Sequence, residues 1–277
     1  MNVSISVLTP AFNSERHIAR CIESVAHQQF DPVEHIIVDG NSTDRTVALI
    51  QEKGKQHQHL RYISESDSGQ SQAMNKALKM ARGSVVGFLN VDDTYESGVL
   101  RRVAALFEDR KALMFAVGNC KVVDPRRRDW FIYRPRSLRF KDFMLGPDLF
   151  PVPPNPAAYF YKKEIHDTVG YYDENDHLTM DLDFILRSSN AFPFEHFDEF
   201  WGTFWLHEQS KTDRLLQDKT IDKNVDQIYK KHFDKLPLSL QKSILRRKFI
   251  YRLIARVKNK VTQLSKKPLR RFEWVQA

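Results

Sequence analysis

The sequence predicts an α/β fold in which a mostly parallel central sheet is flanked by helices. Strand-like and helix-like segments alternate in the order β-α-β-α-β-α-β as far as Asn90. The helix-like segments carry apolar residues at helical spacing behind capping candidates. The apolar runs end in polar residues, Thr9 after the first, Asp39 after the second, Asp92 and Asp93 after the fourth. In open α/β sheets ligands sit at the carboxyl ends of the strands, so these four residues mark one candidate rim.

"VSISVLT" (3–9) reads as the first strand, and "SERHIARCIESVAHQQ" (14–29) as an amphipathic helix capped by Ser14. "EHIIVD" (34–39) is the second strand and "STDRTVALIQEKGK" the second helix. "LRYIS" (60–64) follows as a strand. In "DSGQSQAMNKALKMARG" (67–83) Ala73, Ala77, Leu78 and Met80 share a stripe, and Gly83 closes the helix. "SVVGFLN" (84–90) is the fourth strand. From Asp124 to Pro156 the chain is rich in Pro, Arg and aromatics and reads as loops or short strands. Regular structure resumes with "AAYFYKKEIHDTVG", a helix over "DLDFILRSS" and strand-like "FEHFDEFWGTFWLH".

Hydrophobic residues make up 42% and charged residues 28%, as in an ordinary folded protein rather than a disordered one. Two cysteines, Cys21 and Cys120, form no disulfide framework, which fits a reducing compartment. No signal peptide and no transmembrane run is expected. The net charge of +8 is concentrated at one end, with thirteen Lys or Arg from Lys235 to Arg271 and Glu273 just beyond.

"GFLNVDD" (87–93) holds the strongest chemical signal, because adjacent carboxylates after a buried strand repel unless a cation neutralises them. The competing expectation is a polar turn in which an aspartate caps the helix of "DTYESGVLRRVAAL". Asp39 likewise either starts the turn "DGNSTD" or accepts a hydrogen bond from a ligand.

Four segments in order, "SVLTPAFNSERHIARCIESV", "HIIVDGNSTDRT", "SESDSGQSQAMNKALKMARGSVVGFLNVDD" and "DLDFILR", resemble the successive motifs of family 2 glycosyltransferases across residues 3–213. The resemblance implies a GT-A fold, an inverting transfer and a nucleotide-sugar donor. "NVDD" takes the place of the family's DxD motif, with Asn90 where Asp is frequent. Asp93 would contact a divalent cation, Mn²⁺ or Mg²⁺, and Asp92 the ribose or the metal, with Asn90 and Val91 beside the donor. Such a cation stabilises the leaving diphosphate as a Lewis acid. Asp39 would accept from the N–H of the base, a UDP-sugar being favoured. Thr9, Pro10, Phe12 and Glu15 would line the base and ribose pocket. Asp67, Gly69 and Gln70 would open a helix next to the nucleotide, with Asn75 and Lys76 one to two turns on, although Lys76 also reads as a solvated surface residue. Asp181 would be the general base that takes the acceptor hydroxyl's proton. Met180 stands where many relatives carry Glu. His207 would approach the diphosphate or metal, with Ser210 and Lys211 on the same loop. "PNPAAYF" (154–160) would flank the acceptor, a saccharide or lipid-linked hydroxyl in cell-envelope or exopolysaccharide assembly.

The expected organisation is a catalytic domain over 1–215, with a nucleotide-binding half (1–123) and an acceptor-side half (124–215), and a basic helical extension over 216–277. In that extension Leu245, Phe249, Leu253, Val257, Val261 and Leu264 form a helical stripe widened by Ile250 and Ile254, amid Lys and Arg. A basic amphipathic helix of this kind suits an anionic membrane surface through residues 242–271, and a cytoplasmic protein peripheral to the inner face of the plasma membrane. Packing on the catalytic domain is the alternative. Three other function classes compete. A catalytically silent nucleotide-sugar-binding protein would keep Asp39 and Asp93 without Asp181-dependent turnover. A nucleotidyltransferase would need a basic triphosphate loop that "TPAFNSERH" does not offer. Nucleic-acid binding through the tail would be steeply salt-dependent, but the tail holds no recognised binding motif.

Overall fold

The computed structural model describes residues 3–124, 129–176, 178–207 and 220–264. Strand β1 (Ile5–Ala11) is buried along its whole length, because it lies between β2 (Val33–Asp39) and β4 (Val85–Phe88) with helices over both faces. Its polar residues are therefore paired inside: Ser6 Oγ donates to Glu34 Oε1 at 2.6 Å, and Thr9 Oγ1 lies 2.9 Å from His35 Nε2. Helix α1 (Ile18–Ala26) buries Ile18, Cys21, Ile22 and Val25, one face of a 3.6-residue repeat. Ser14 does not cap it with its side chain as expected. The Ser14 hydroxyl donates to Phe12 O at 2.9 Å, and only its carbonyl receives the amides of His17 and Ile18.

Helix α2 (Thr46–Gly54), β3 (Leu60–Ser64) and α3 (Gln70–Met80) complete the alternating half, and β1 to β4 are mutually parallel. Beyond it come β5 (Thr94–Tyr95), α4 (Val99–Asp109), β6 (Phe115–Asp124), β7 (Asp129–Tyr133) and α5 (Phe140–Phe143). A 3₁₀ turn at Pro156–Ala158 leads into β8 (Tyr159–Lys162), α6 (Ile165–Val169), α7 (Met180–Ala191) and β9 (Phe194–Trp205). The sheet runs β3-β2-β1-β4-β8-β6-β9-β5, with β7 also paired to β6. This half is mixed, since β8 is antiparallel to both β4 and β6 whereas β6 and β9 are parallel. Period-two alternation in β8 sends Tyr159 and Tyr161 to one core, under α3 and α7, and Phe160 to the other, under α1 and α4.

Helices α8 (Thr220–Asp234) and α9 (Leu238–Leu264) follow, and both pack on the first of these cores. Ile244 is 2% exposed, and Tyr251 meets the Phe150 ring edge-on at 5.5 Å. Arg247 pairs with the buried Asp142. One face of α9 is thus docked. Along another, Leu245, Phe249, Ile250, Leu253 and Ile254 stay exposed. The side chains of Val257, Val261 and Leu264, and residues 265–271, lie outside the described residues. Among the described residues no helix is long and apolar enough to cross a membrane.

Candidate active site

Because β1 to β4 are parallel, their carboxyl ends open on one rim. Asp39, the last residue of β2, is fully buried there. Its carboxylate accepts from Ser42 N at 3.0 Å, from Ser64 Oγ at 2.7 Å and from the Ser42 hydroxyl. An ionised carboxylate offers about four acceptor positions, so it starts the turn and keeps capacity for one more donor. Gly40 follows because Asp67 leans across it: a Cβ at that position would stand 2.9 Å from Asp67 Oδ2. Asp67 Oδ1 accepts from Gly69 N at 2.9 Å, and Gly69 opens α3 with φ 131°, a region that suits glycine alone.

Other residues expected at the nucleotide are placed differently. Thr9 and Pro10 are buried within β1, and the Thr9 hydroxyl faces His35 rather than an open pocket. Phe12, by contrast, is 62% exposed at the rim. Glu15 accepts from Arg45 N at 3.1 Å and fastens the α1 entrance to that of α2. Lys76 pairs with Glu65 at 2.8 Å and donates to Ser66 O at 3.1 Å, so its ammonium secures the β3–α3 loop. Asn75 is 3% exposed and holds a distant loop, donating to Tyr172 O at 2.9 Å and to Glu174 Oε1 at 3.0 Å.

In the Asn90–Asp93 turn the two carboxylates diverge. Asp93 is 0% exposed and turned inward. It accepts from Asn155 Nδ2 at 2.7 Å, Asn90 Nδ2 at 3.1 Å and Trp205 N at 3.1 Å. Burial, then the negative charge of Asp92, push its carboxyl up to about 8 against the pull of those three donors. It caps no helix, since α4 starts at Val99 behind a left-handed Gly98. Asp92 faces outward and meets His207 Nε2 at 3.0 Å. The His207 ring lies 4.9 Å from that of His17, whose pKa is lowered by burial and by His207 itself. Arg20 donates to Asp92 O at 2.5 Å while lying 5.1 Å over the Trp205 ring, which joins α1 to the end of β9. Val91 packs against the small core of Ala11, Ile18 and Ile22.

A divalent cation therefore fits Asp92 and His207 better than Asp93. A carboxylate oxygen and an imidazole nitrogen, 3.0 Å apart, meet at this turn, both of them groups that ligate divalent cations. Among the described residues no cluster of three or more His, Cys, Asp or Glu is gathered to hold a metal. Asp93, expected as a metal ligand, is turned inward onto three donors, whereas Asp92 stands beside His207.

Asp181 is half-buried in the first turn of α7. Burial, then the Asp181 charge, raise the nearby Tyr159 hydroxyl well above its ordinary value. The first turn of α3 touches both acidic regions: Gln70 Nε2 reaches Asn90 Oδ1 at 3.4 Å, and Ser71 Oγ reaches Met180 Sδ at 2.7 Å. Asp183, two positions on, points about 200° away around the helix. It accepts from Arg187 Nε at 2.7 Å, Lys231 Nζ at 3.1 Å and His232 Nε2 at 3.0 Å. Burial alone would raise its carboxyl, but the bonds from His232, Arg187 and Lys231 and the Arg187 charge hold it well below the usual range. The folded value lies below the unfolded one of about 3.9, so this stabilisation is full above that pH and is lost as pH falls through the folded value. Asp183→Asn is expected to cost about 3–5 kcal/mol at neutral pH. The gap to wild type, read from denaturant midpoints between pH 7 and pH 3, should stay constant down to about pH 4 and only begin to narrow below it.

The family model described as glycosyl transferase family 2 matches residues 6–170. The chain belongs to glycosyltransferase family 2. It is 27% identical to the chondroitin synthase of Escherichia coli over 223 residues, which are 76% of this chain and 30% of that protein. It is 36% identical to TuaG of Bacillus subtilis, a putative teichuronic acid biosynthesis glycosyltransferase, over 50% of this chain and 56% of that one. The family 2 chain therefore spans about a third to a half of the length of these relatives. Among solved structures, S. aureus TarS 1-349 in complex with UDP-GlcNAc superposes with a TM-score of 0.67 at 20% identity, covering 89% of this chain and 71% of that one. The mannosyltransferase PcManGT from Pyrobaculum calidifontis, in complex with GDP-Man and Mn²⁺, gives 0.63 at 15%, covering 97% and 77%. Both likenesses establish the fold, which is GT-A-like.

Within this family 2 fold, sequence reasoning missed the partners of the acidic turn. Asn155 supports its own 3₁₀ turn, accepting from Ala157 N at 2.8 Å, and spends its amide on Asp93. "PNPAAYF" was a recognisable segment, yet no local signal reveals that its asparagine reaches across to residue 93. Ser42 and Ser64 give no pattern either. Ser210 and Lys211 lie outside the described residues.

Proposed function

We propose that the chain is a metal-dependent, inverting glycosyltransferase that moves a sugar from a nucleotide-sugar donor, a UDP-sugar being favoured, to a saccharide or lipid-linked hydroxyl. Cell-envelope or exopolysaccharide assembly is the setting that its relatives' names support. One observation carries the reading. The first turn of α3 bridges the Asn90–Asp93 turn and the start of α7, so the outward carboxylate Asp92 and the candidate base Asp181 are tied to one structural element.

In this reading Asp39 accepts from the base and Phe12 covers the rim. Asp181 takes the proton of the acceptor hydroxyl, whose oxygen forms a bond to the anomeric carbon from the face opposite the leaving group. The bond from that carbon to phosphate oxygen breaks, and its electron pair leaves on the nucleoside diphosphate. Asp92 and His207 would hold a divalent cation, which when bound supplies Lewis-acid stabilisation of the diphosphate.

The test is thermal stabilisation by UDP, dTDP and GDP, each with and without Mn²⁺. A nucleotide at about 100 times its dissociation constant adds roughly 2.7 kcal/mol. Metal-dependent stabilisation by UDP, lost in Asp92→Ala, is expected. A folded protein that responds to none of the three would overturn the donor reading.

The exposed face of α9 supports a further part of the proposal, contact with the anionic cytoplasmic face of a membrane. Leu245, Phe249 and Leu253 project one turn apart, with exposed Lys242, Arg246 and Arg252 among them. The protein is expected to co-sediment with phosphatidylserine-containing vesicles at low salt and not with phosphatidylcholine alone. Retention of that binding by a Leu245→Ser, Phe249→Ser, Leu253→Ser triple variant would refute this placement.

A further inference from the structure

We infer that Lys231 and His232 of α8 are positioning residues for the Asp181 base, so that the C-terminal helices are a working part of the catalytic apparatus. The inference rests on the reading of Asp181 given above. The helix that carries Asp181 is gripped from two sides.

On one side, α3 holds the loop that leads into α7. Asn75 exchanges two hydrogen bonds with the Tyr172 backbone, at 2.9 and 3.0 Å, and Gln72 Nε2 reaches Glu174 Oε2 at 2.9 Å. Asp176 then accepts from Leu178 N at 2.9 Å and Thr179 N at 2.8 Å, which fixes the approach to Met180. On the other side stands Asp183. Its carboxylate, 4% exposed as a residue, joins Arg187 of its own helix to Lys231 and His232 of α8. Arg187 carries the connection onward, donating to the carbonyls of Val169, of Gly170 at 3.3 Å and of Tyr171 at 3.1 Å. The same Tyr171–Asp176 segment is therefore reached from α3 and, through Arg187, from α8.

At this point the ion cluster joins the apolar packing of Ile228, Tyr229 and Phe233 in attaching α8. A cavity of about 570 Å³ opens between α6, α7 and α8, walled in part by Phe140, Val169, Asp183, Arg187, Lys231 and His232. Continuous apolar packing is interrupted there, and the ion cluster spans the gap. Asp183 lies within one turn of Asp181, so a loosened cluster frees the turn that aims the base. Misplacing a catalytic group by about 1 Å costs on the order of 100-fold in rate.

The experiment uses the full chain with Lys231→Ala, His232→Ala and the double substitution, together with Lys231→Arg as the conservative rescue. Nucleotide release is followed with whichever UDP-sugar the wild-type protein turns over, and amide hydrogen exchange is followed across residues 178–186. In the double variant kcat is expected to fall roughly 10- to 100-fold with donor KM unchanged, exchange over 178–186 to quicken, and UDP-induced stabilisation to persist. Lys231→Arg should restore most of kcat. Wild-type kcat in a double variant, when Asp181→Asn is inactive, would overturn the inference and leave the reaction assignment standing. Should the wild type turn over no donor, the reaction assignment fails, and the exchange measurement decides the coupling alone. Unchanged exchange over 178–186 refutes the coupling too, and faster exchange confined there leaves α8 coupled to the first turn of α7 but overturns its role in positioning a base.

Discussion

Asp181→Asn is expected to lower sugar-transfer turnover by roughly 10²–10⁴-fold while nucleotide binding is preserved. The substitution keeps the size of the side chain and its place in the first turn of α7, but an amide takes no proton at neutral pH. In the proposed arrangement donor and cation are held elsewhere, at Asp39 and at Asp92 with His207, so donor KM and UDP-induced stabilisation should hold at wild-type levels. Steady-state kinetics and a thermal shift on the same preparation separate the two effects. Turnover within about threefold of wild type would remove Asp181 as the base, because general-base contributions of the usual size could not be that small.

Substitution of the two adjacent aspartates should give opposite phenotypes. Asp93→Ala strands three buried donors, the amides of Asn155 and Asn90 and the backbone N–H of Trp205. Each stranded group costs about 1–3 kcal/mol, so a total of roughly 3–5 kcal/mol follows once the site relaxes. For a domain of this size that corresponds to a fall in Tm of roughly 10 °C. Asp92→Ala removes an outward carboxylate at the rim. Its Tm without ligands should move by no more than a few degrees, yet Mn²⁺-dependent stabilisation by UDP should vanish. Equal losses of Tm in the two variants would contradict the inward and outward assignment.

The alternating half of the fold was readable because its signals are local. Apolar runs in β1, β2 and β4, the stripe of α1 and the glycine before α3 each announce themselves within a few residues. The rim was readable for the same reason, since parallel strands bring their ends together whatever follows. What stayed hidden depends on long-range pairing. Nothing near Asp93 in the sequence announces its bonds to Asn155 and Trp205, 62 and 112 residues away. Nor does anything near Asn75 announce that the Tyr172 backbone, 97 residues on, engages both ends of its amide. In α9 the sequence shows one apolar stripe in a basic helix. A second, docked face escapes notice because it includes Arg247, a charge that the pattern assigns to water and the fold assigns to Asp142.

Asn90 departs from the aspartate frequent at its motif position, and its two hydrogen bonds give that departure a meaning. It accepts from Gln70 through Oδ1 and donates to Asp93 through Nδ2. An amide has this two-way polarity, whereas an ionised carboxylate accepts and never donates. Asn90→Asp would add a further carboxyl to the turn and remove the N–H from which Asp93 accepts. The residue at this position sets the sense in which hydrogen bonds run from α3 to the buried carboxylate, and a chain with aspartate there must supply Asp93 with a donor from somewhere else.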